Sequence, residues 1–362
     1  MNGIAGRVAL AAVAVTALIA TVAGGCVHVL QPPAFDDAAW MRDSRASARA
    51  TLYAPHERDG RFFNPWRPDD RGFLTLLRWR LSERTRAYPD PVPPVDVVAN
   101  DGAYLNRSRE PASLTWIGHA TFAIQINDQV WVTDPMFSDR AVLPKRAAPP
   151  GIPISAIPEG AFALISHNHY DHLDAPSVAA LPPSTRWFVP KGLGPYVRHA
   201  GATTVEELDW WDRVEVGDTT LICLPAQHWS NRLDMGRNRS LWAAWLLITP
   251  TRKIYFGGDS GSFHGFAEIG ERFGPIDDAI IPIGAYEPRW FMAYSHMDID
   301  ESLRAFEALR ATRMIPMQFG IFQLGDEPAA FPAWELRRAL DARSDLAARV
   351  HIPAVGARLM MD

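Results

Sequence analysis

The stretch Ser166-His167-Asn168-His169-Tyr170-Asp171-His172-Leu173-Asp174 sets three imidazoles and a carboxylate in the order His-x-His-x-Asp-His. Imidazole nitrogens and carboxylate oxygens are good donors to zinc and also suit manganese or iron. A single His is usually an ordinary surface or core residue. Four ligand-type side chains at alternating and adjacent spacing point instead to metal. His167 and His169 can face one way while Asp171 and His172 turn toward a second ion.

Three later segments offer further donors. His228 follows the apolar run Thr219 to Leu224, Asp259 follows Gly257-Gly258, and His296 closes an aromatic loop. The expected grouping is His167, His169 and His228 on one ion. Asp171, His172 and His296 take the other, with Asp259 bridging. Two zinc ions roughly 3.5–4 Å apart can hold a bridging hydroxide at neutral pH, and they take up charge that develops on substrate oxygens. Such a site needs no Ser, Cys or Lys nucleophile. Asp171 and Asp259 are the candidate catalytic carboxylates. Ser260 lacks a Gly-x-Ser-x-Gly frame, and no Gly-Lys-Ser/Thr follows the glycines to make a phosphate loop. Asp134, in an Asp-Pro turn, is a candidate acceptor that fixes a ligand His through its other ring nitrogen. His119 is a candidate for the same supporting role or for contact with substrate.

These residues need strands that run out into loops, because ligand sites of α/β proteins lie beyond the carboxyl ends of strands. The run Ala161 to Ile165 stops at the metal motif and reads as a buried strand. Strands are predicted at 114–117, 122–126 and 130–132, with Asn127-Asp128 as the turn between the last two. Others follow at 186–189, 204–208, 212–216, 219–224, 241–249, 253–256, 279–283, 314–317 and 350–353. Pro282 suggests an edge or a bulge for its strand. Helices are predicted at 73–81, from Asp174-Ala175-Pro176 onward, at 195–200, after Asp298 to about 310, and at 334–346. The alternation suggests a layered α/β domain.

The chain has 362 residues, 48% hydrophobic and 21% charged, so it can bury a sizeable core. The formal charge of -5 gives no basic footprint for nucleic acid. Two cysteines, Cys26 and Cys223, make no disulfide framework, and Cys223 reads as a buried small hydrophobe. Arg7 precedes an uncharged stretch from Val8 to Leu30 that reads as a targeting segment. Within it Val22-Ala23-Gly24-Gly25-Cys26 resembles a bacterial lipobox, although Ala23 stands where Leu is usual. The same stretch is long enough to span a bilayer uncleaved. Either way the globular part is expected to be exported and held at a membrane of the cell envelope. The expected organisation is a signal or anchor segment over 1–30, an N-terminal extension over 31–112 that packs its aromatics on the core, and a hydrolase domain over 113–362.

The His-x-His-x-Asp-His motif with its later His, Asp and His resembles the metallo-β-lactamase superfamily over about residues 113–355. That resemblance implies an α/β fold of the four-layer αβ/βα sandwich type. Longer strings resemble one branch, the N-acyl-phosphatidylethanolamine-hydrolysing phospholipase D family: Thr115 to Thr121, Ser166 to Asp174, Ala226 to Trp229, Gly284 to Met292, and the lead-in Gly60 to Trp66. This implies a phosphodiesterase with two zinc ions on the seven ligands above, acting on a membrane phospholipid as a membrane-bound homodimer. It also implies that Tyr170 contacts phosphate or an acyl amide. Trp229, Trp290, Phe291 and Met292 would line an apolar entrance. Competing readings are a lactonase or other zinc hydrolase on a soluble substrate, a di-iron redox protein, a tethered binding protein, and a nuclease. The di-iron type usually carries Glu where His169 stands.

Overall fold

The computed structural model describes residues 30–84, 86–107 and 111–361. The export and anchor expectation falls on residues 1–29, outside the described residues. Among the described residues no helix is long and apolar enough to cross a membrane. The chain divides into two compact units. Of the described residues, the smaller comprises 30–35 together with 70–84 and 86–87. Its helix Phe73–Leu81 buries Trp79 and leaves Phe73 and Leu74 exposed.

The larger unit, residues 36–69 and 88–362, is built on two sheets. The first contains β1 (Ser113–Gly118), β2 (Thr121–Ile126), β3 (Gln129–Thr133), β4 (Phe162–Leu164), β5 (Arg186–Pro190) and β6 (Thr204–Leu208) in spatial order. The second runs β7 (Arg213–Val216), β8 (Thr219–Leu224), β9 (Ala244–Ile248), β10 (Lys253–Phe256), β11 (Ile276–Pro282) and β12 (Ala311–Met317). A last strand, β13 (Arg358–Met360), returns to pair with β1. In the first sheet β3–β6 and in the second β10–β12 pair in parallel, and the other neighbouring strands are antiparallel. Asn127 and Asp128 both have positive φ, as the two-residue turn between β2 and β3 requires.

Both faces of the sheets are buried. Trp116, Phe122, Trp131, Trp245 and Phe256 meet between the sheets. Ile117, Val132, Ala163 and Trp187 cover the outer face of the first sheet, with Val178 and Val197 from the helices Ala175–Ala180 and Gly194–His199. On the outer face of the second lie helices Gly265–Phe273, Ile299–Ala308 and Phe331–Asp341, through Phe266, Phe306 and Leu336. Burying each such side chain contributes about 1.5–3 kcal/mol. This is helix, sheet, sheet, helix, the αβ/βα sandwich.

Three expectations change. The strand ending in Pro282 lies between β10 and β12, not at an edge. Its last pair with β10 is Ile280 with Phe256, two residues earlier, so a proline at 282 interrupts no ladder on that side. Residues 350–353 form no strand. Val350 makes one isolated bridge to Met314, and Pro353 has no N–H to extend a ladder. The helix predicted at 334–346 is two, Phe331–Asp341 and Ser344–Ala347.

Candidate metal centre

The motif loop leaves β4 on the strand register that buries Ile165, whose carbonyl accepts from Trp245 Nε1 at 2.9 Å. That bond ties β9 of the second sheet to the start of the motif on the first. His228 arrives from the end of β8 and Asp259 from the end of β10. Gly258 has φ +55, and a Cβ there would come 2.6 Å from Ser166 Cβ, so only glycine lets Asp259 approach the motif loop. His119, Asp134 and Gln318, at the mouths of β1, β3 and β12, also have positive φ. Non-glycine residues held in that region concentrate at functional sites.

The imidazoles converge. His167 Nε2 lies 2.8 Å and His228 Nε2 3.2 Å from His169 Nδ1. Asp259 Oδ2 is 3.2 Å from His172 Nε2 and 3.9 Å from His167 Nε2, His228 Nε2 and His296 Nδ1. Asp171 Oδ2 is 2.9 Å from His119 Nε2 and 3.3 Å from His172 Nε2. Donor atoms within 4.8 Å of one another form four overlapping triads: His167, His169 and His228; His119, Asp171 and His172; His167, His172 and Asp259; His228, Asp259 and His296. The structure therefore groups His296 with His228 and Asp259. His119 stands beside Asp171 and His172, the place expected for His296.

The donor set fits a cation. Asp259 Oδ1 and His169 Nε2 are buried without a hydrogen bond among the described residues, a costly state for polar atoms unless something binds them. Burial holds His167 and His228 well below the ordinary imidazole value, and His169 down to about 4. These three are thus neutral at pH 7, the form that ligates metal. Burial acts on His172 in the same sense, but Asp259, Asp171 and Asp134 outweigh it and raise that imidazole well above its ordinary value. Burial would also raise Asp171 and Asp259; the attraction of His172 prevails and keeps both carboxyls ionised.

Supporting contacts fix the ring orientations. Asp134 is fully buried and accepts from Ser166 N and Ser166 Oγ, both at 2.6 Å, and from His172 Nδ1 at 2.7 Å. Ser295 O takes His228 Nδ1 at 3.1 Å. The lead-in arm buttresses the same His: Asn64 Nδ2 donates to His228 O, and Trp66 Nε1 to Gln227 Oε1. Gly261 lies under this strut, since a Cβ there would meet Tyr294 O at 2.2 Å. We expect Gly261→Ala to displace Tyr294-Ser295 and destabilise the protein by about 1–3 kcal/mol, read by urea unfolding.

The other candidates lie at the rim. Trp229 packs its ring 4.6 Å from that of His169, with the Arg237 guanidinium 5.0 Å over it. Tyr170 turns toward the short hairpin Asn231–Arg232/Gly236–Arg237. Its hydroxyl accepts from Leu233 N at 3.3 Å and its ring lies under Arg232 at 4.0 Å. Trp290 is half-buried against Phe291.

Sequence reasoning did not single out two arginines of the site. Buried Arg232 donates to Asn168 O and Leu173 O and so clamps both ends of the motif loop. Arg289 donates to His296 O and to Glu301 Oε2. A lone Arg, whether among polar neighbours like Arg232 or aromatic ones like Arg289, has no periodicity or spacing to mark it. Only the carbonyls it reaches across the fold reveal its role.

Comparison with known proteins places this geometry. Residues 131–319 match the model of the beta-lactamase superfamily domain. The chain is 41% identical over 251 residues to N-acyl-phosphatidylethanolamine-hydrolyzing phospholipase D 1 of Caenorhabditis elegans, covering 64% of this chain and 70% of that one. It is 34% identical over 335 residues to an uncharacterized protein of Mycobacterium bovis, covering 87% of each. Among solved structures, a possible metal-dependent hydrolase from Veillonella parvula superposes with a TM-score of 0.58 at 15% identity, over 69% of this chain and all of that one. The chain belongs to the metallo-β-lactamase superfamily, as a metal-dependent hydrolase resembling N-acyl-phosphatidylethanolamine-hydrolysing phospholipase D.

Proposed function

We propose that the protein is a dinuclear zinc phosphodiesterase that cleaves N-acyl-phosphatidylethanolamine, or a closely related phospholipid, on the headgroup side of the phosphate. Water adds to phosphorus and the ethanolamine oxygen leaves with a proton, giving phosphatidic acid and an N-acylethanolamine. The observation that carries this reading is the overlap of the triads: Asp259 and His172 are shared between neighbouring donor groups, as two adjacent cations need. The likeness to the nematode phospholipase supports the substrate class.

His167, His169 and His228 would hold one ion and Asp171 and His172 the other, with Asp259 between them. His119 and His296 stand at either end. Bound there, the ions would supply an activated water and take up charge on the phosphate oxygens. The chain's own residues do the rest. Asp134 and Ser295 O hold two imidazoles in fixed orientation. Arg232 keeps the motif loop from opening. Trp229 shields His169 from solvent on the rim, where an acyl chain can lie against its ring. In this reading the N-terminal segment holds the enzyme at the membrane that supplies its substrate.

The test is purified protein with measured zinc content, assayed on N-acylated phospholipid, unmodified phosphatidylethanolamine, a soluble phosphodiester and a lactone. His169→Ala is expected to lower phospholipid hydrolysis roughly a hundredfold or more. Preference for the lactone or the soluble diester would reject the lipid assignment. Near-normal hydrolysis by His169→Ala would reject the metal mechanism.

A further inference from the structure

Beyond β3 the chain makes a tight turn whose tip faces solvent with aliphatic side chains. Arg140 and Lys145 pair as an isolated antiparallel bridge, Ala141 N donates to Pro144 O, and Arg140 Nη1 donates to Leu143 O at 2.8 Å. Between them Val142 is 54% and Leu143 80% exposed. Val142 also has φ +60, a conformation that β-branched residues rarely adopt. A turn this well bonded is not a loose loop. It holds an unfavourable backbone and presents two aliphatic side chains to water.

The two charges that flank the aliphatic tip directly, Arg140 and Lys145, are positive. Asp139, one position further out, is exposed, and its carbonyl accepts from Arg146 N at 2.8 Å. Arg140 and Lys145 are exposed, and among the described residues neither ends in an ion pair. The base of the turn is anchored to the metal-motif loop: Ser138 Oγ donates to Asp174 Oδ2 at 2.7 Å, and Phe137 N to Ser177 Oγ. The same loop is gripped by Arg232 of the short hairpin, whose neighbour Leu233 is 94% exposed. Exposed aliphatics thus stand on two segments that both border the loop carrying His167, His169, Asp171 and His172. A single exposed Leu on a surface would mean nothing.

We propose that the 140–145 turn enters an anionic phospholipid surface, Val142 and Leu143 among the acyl chains and Arg140 and Lys145 at the phosphates, and so sets the metal centre against the bilayer. Basic residues flanking an apolar tip match the negative potential of such a surface. The choice of a bilayer rests on the phospholipid reading above, but the contact itself needs no hydrolysis.

The experiment uses the full chain with Cys26→Ser and Leu143→Cys, labelled with a polarity-sensitive fluorophore. The N-terminal segment is then the same in every arm. Asp218→Cys, on the exposed turn between β7 and β8, serves as the control site. A blue shift for the Leu143→Cys label, absent from the control, is expected on vesicles of phosphatidylcholine with phosphatidylglycerol. Vesicles of phosphatidylcholine alone should give a smaller one. Adding Lys145→Glu should weaken the apparent affinity about tenfold. No shift on either vesicle overturns the proposal. A shift that appears without lipid and grows with protein concentration overturns it too, because a second copy then covers the tip. Should the lipid panel fail while the shift persists, the substrate reading falls and the docking surface stands.

Discussion

Asp259→Asn should abolish practically useful hydrolysis, lowering the rate roughly a thousandfold or more. The carboxylate is 3% exposed, and one of its oxygens faces His167, His172, His228 and His296 within 3.9 Å. An amide keeps the volume and removes the charge. Metal content, measured by elemental analysis after dialysis, should fall with activity. The variant also separates metal loss from fold loss through its pH dependence. In the metal-free protein Asp259 is the chief attraction that raises His172. A raised His contributes stability that is present below its unfolded value, about 6.5, and is lost as pH rises through its folded value. A depressed Asp contributes stability above its unfolded value, about 3.9, and loses it as pH falls. Both contributions coexist between roughly pH 4 and the raised His172 value. The destabilisation of metal-free Asp259→Asn, about 2–4 kcal/mol for breaking a buried pair, should be largest in that window and shrink on the alkaline side. Urea unfolding in chelator across pH 5 to 10 checks it. A deficit that does not change with pH would show that the carboxylate is not paired with His172.

The metal-motif loop was legible in the sequence because its donors are consecutive and the strand before it stops abruptly. So were β1 to β3 and β10, where short apolar runs end in Gly, Asp or Asn. The place of β11 was less so, since a proline at 282 has different meanings at an edge and past the last pair of an interior strand. Which donor stands beside which was not legible at all. His119 reaches Asp171 only because residue 119 adopts φ +55 in the turn between β1 and β2, carrying its ring across to the motif loop. His296 is drawn toward Asp259 by Arg289, which holds its carbonyl at 3.3 Å while pairing with Glu301. Such placements depend on backbone conformation and on buried ion pairs between distant segments, and neither leaves a pattern of spacing. Asp134 was an intermediate case. An Asp before a Pro at a strand end is an ordinary turn, and only the position of its strand next to β4 brings it beneath the motif.

That neighbour relation makes Asp134 the second residue whose loss should be severe. Asp134→Ala is expected to destabilise the protein by about 3–5 kcal/mol and to weaken metal retention a further ten- to a hundredfold. The alanine leaves three donors facing an empty space: the Ser166 N–H, the Ser166 hydroxyl and His172 Nδ1. The hydroxyl can rotate, and Ser166 Oγ already lies 2.9 Å from His167 Nδ1. The backbone N–H and the imidazole cannot relax without moving the motif loop. Asp134→Asn tells the two consequences apart. Its single carbonyl oxygen can serve either Ser166 N or His172 Nδ1, while its amide N–H opposes the other donor. If the residue only held the fold together, Asn and Ala variants would lose stability and, once folded at low temperature, bind zinc normally. If it sets the tautomer and direction of His172, both variants should show weakened zinc binding under conditions where circular dichroism reports a native fold. The second outcome follows from the geometry, because the same carboxylate oxygen that receives His172 Nδ1 also receives the Ser166 hydroxyl. It thereby couples the first residue of the motif to its last imidazole.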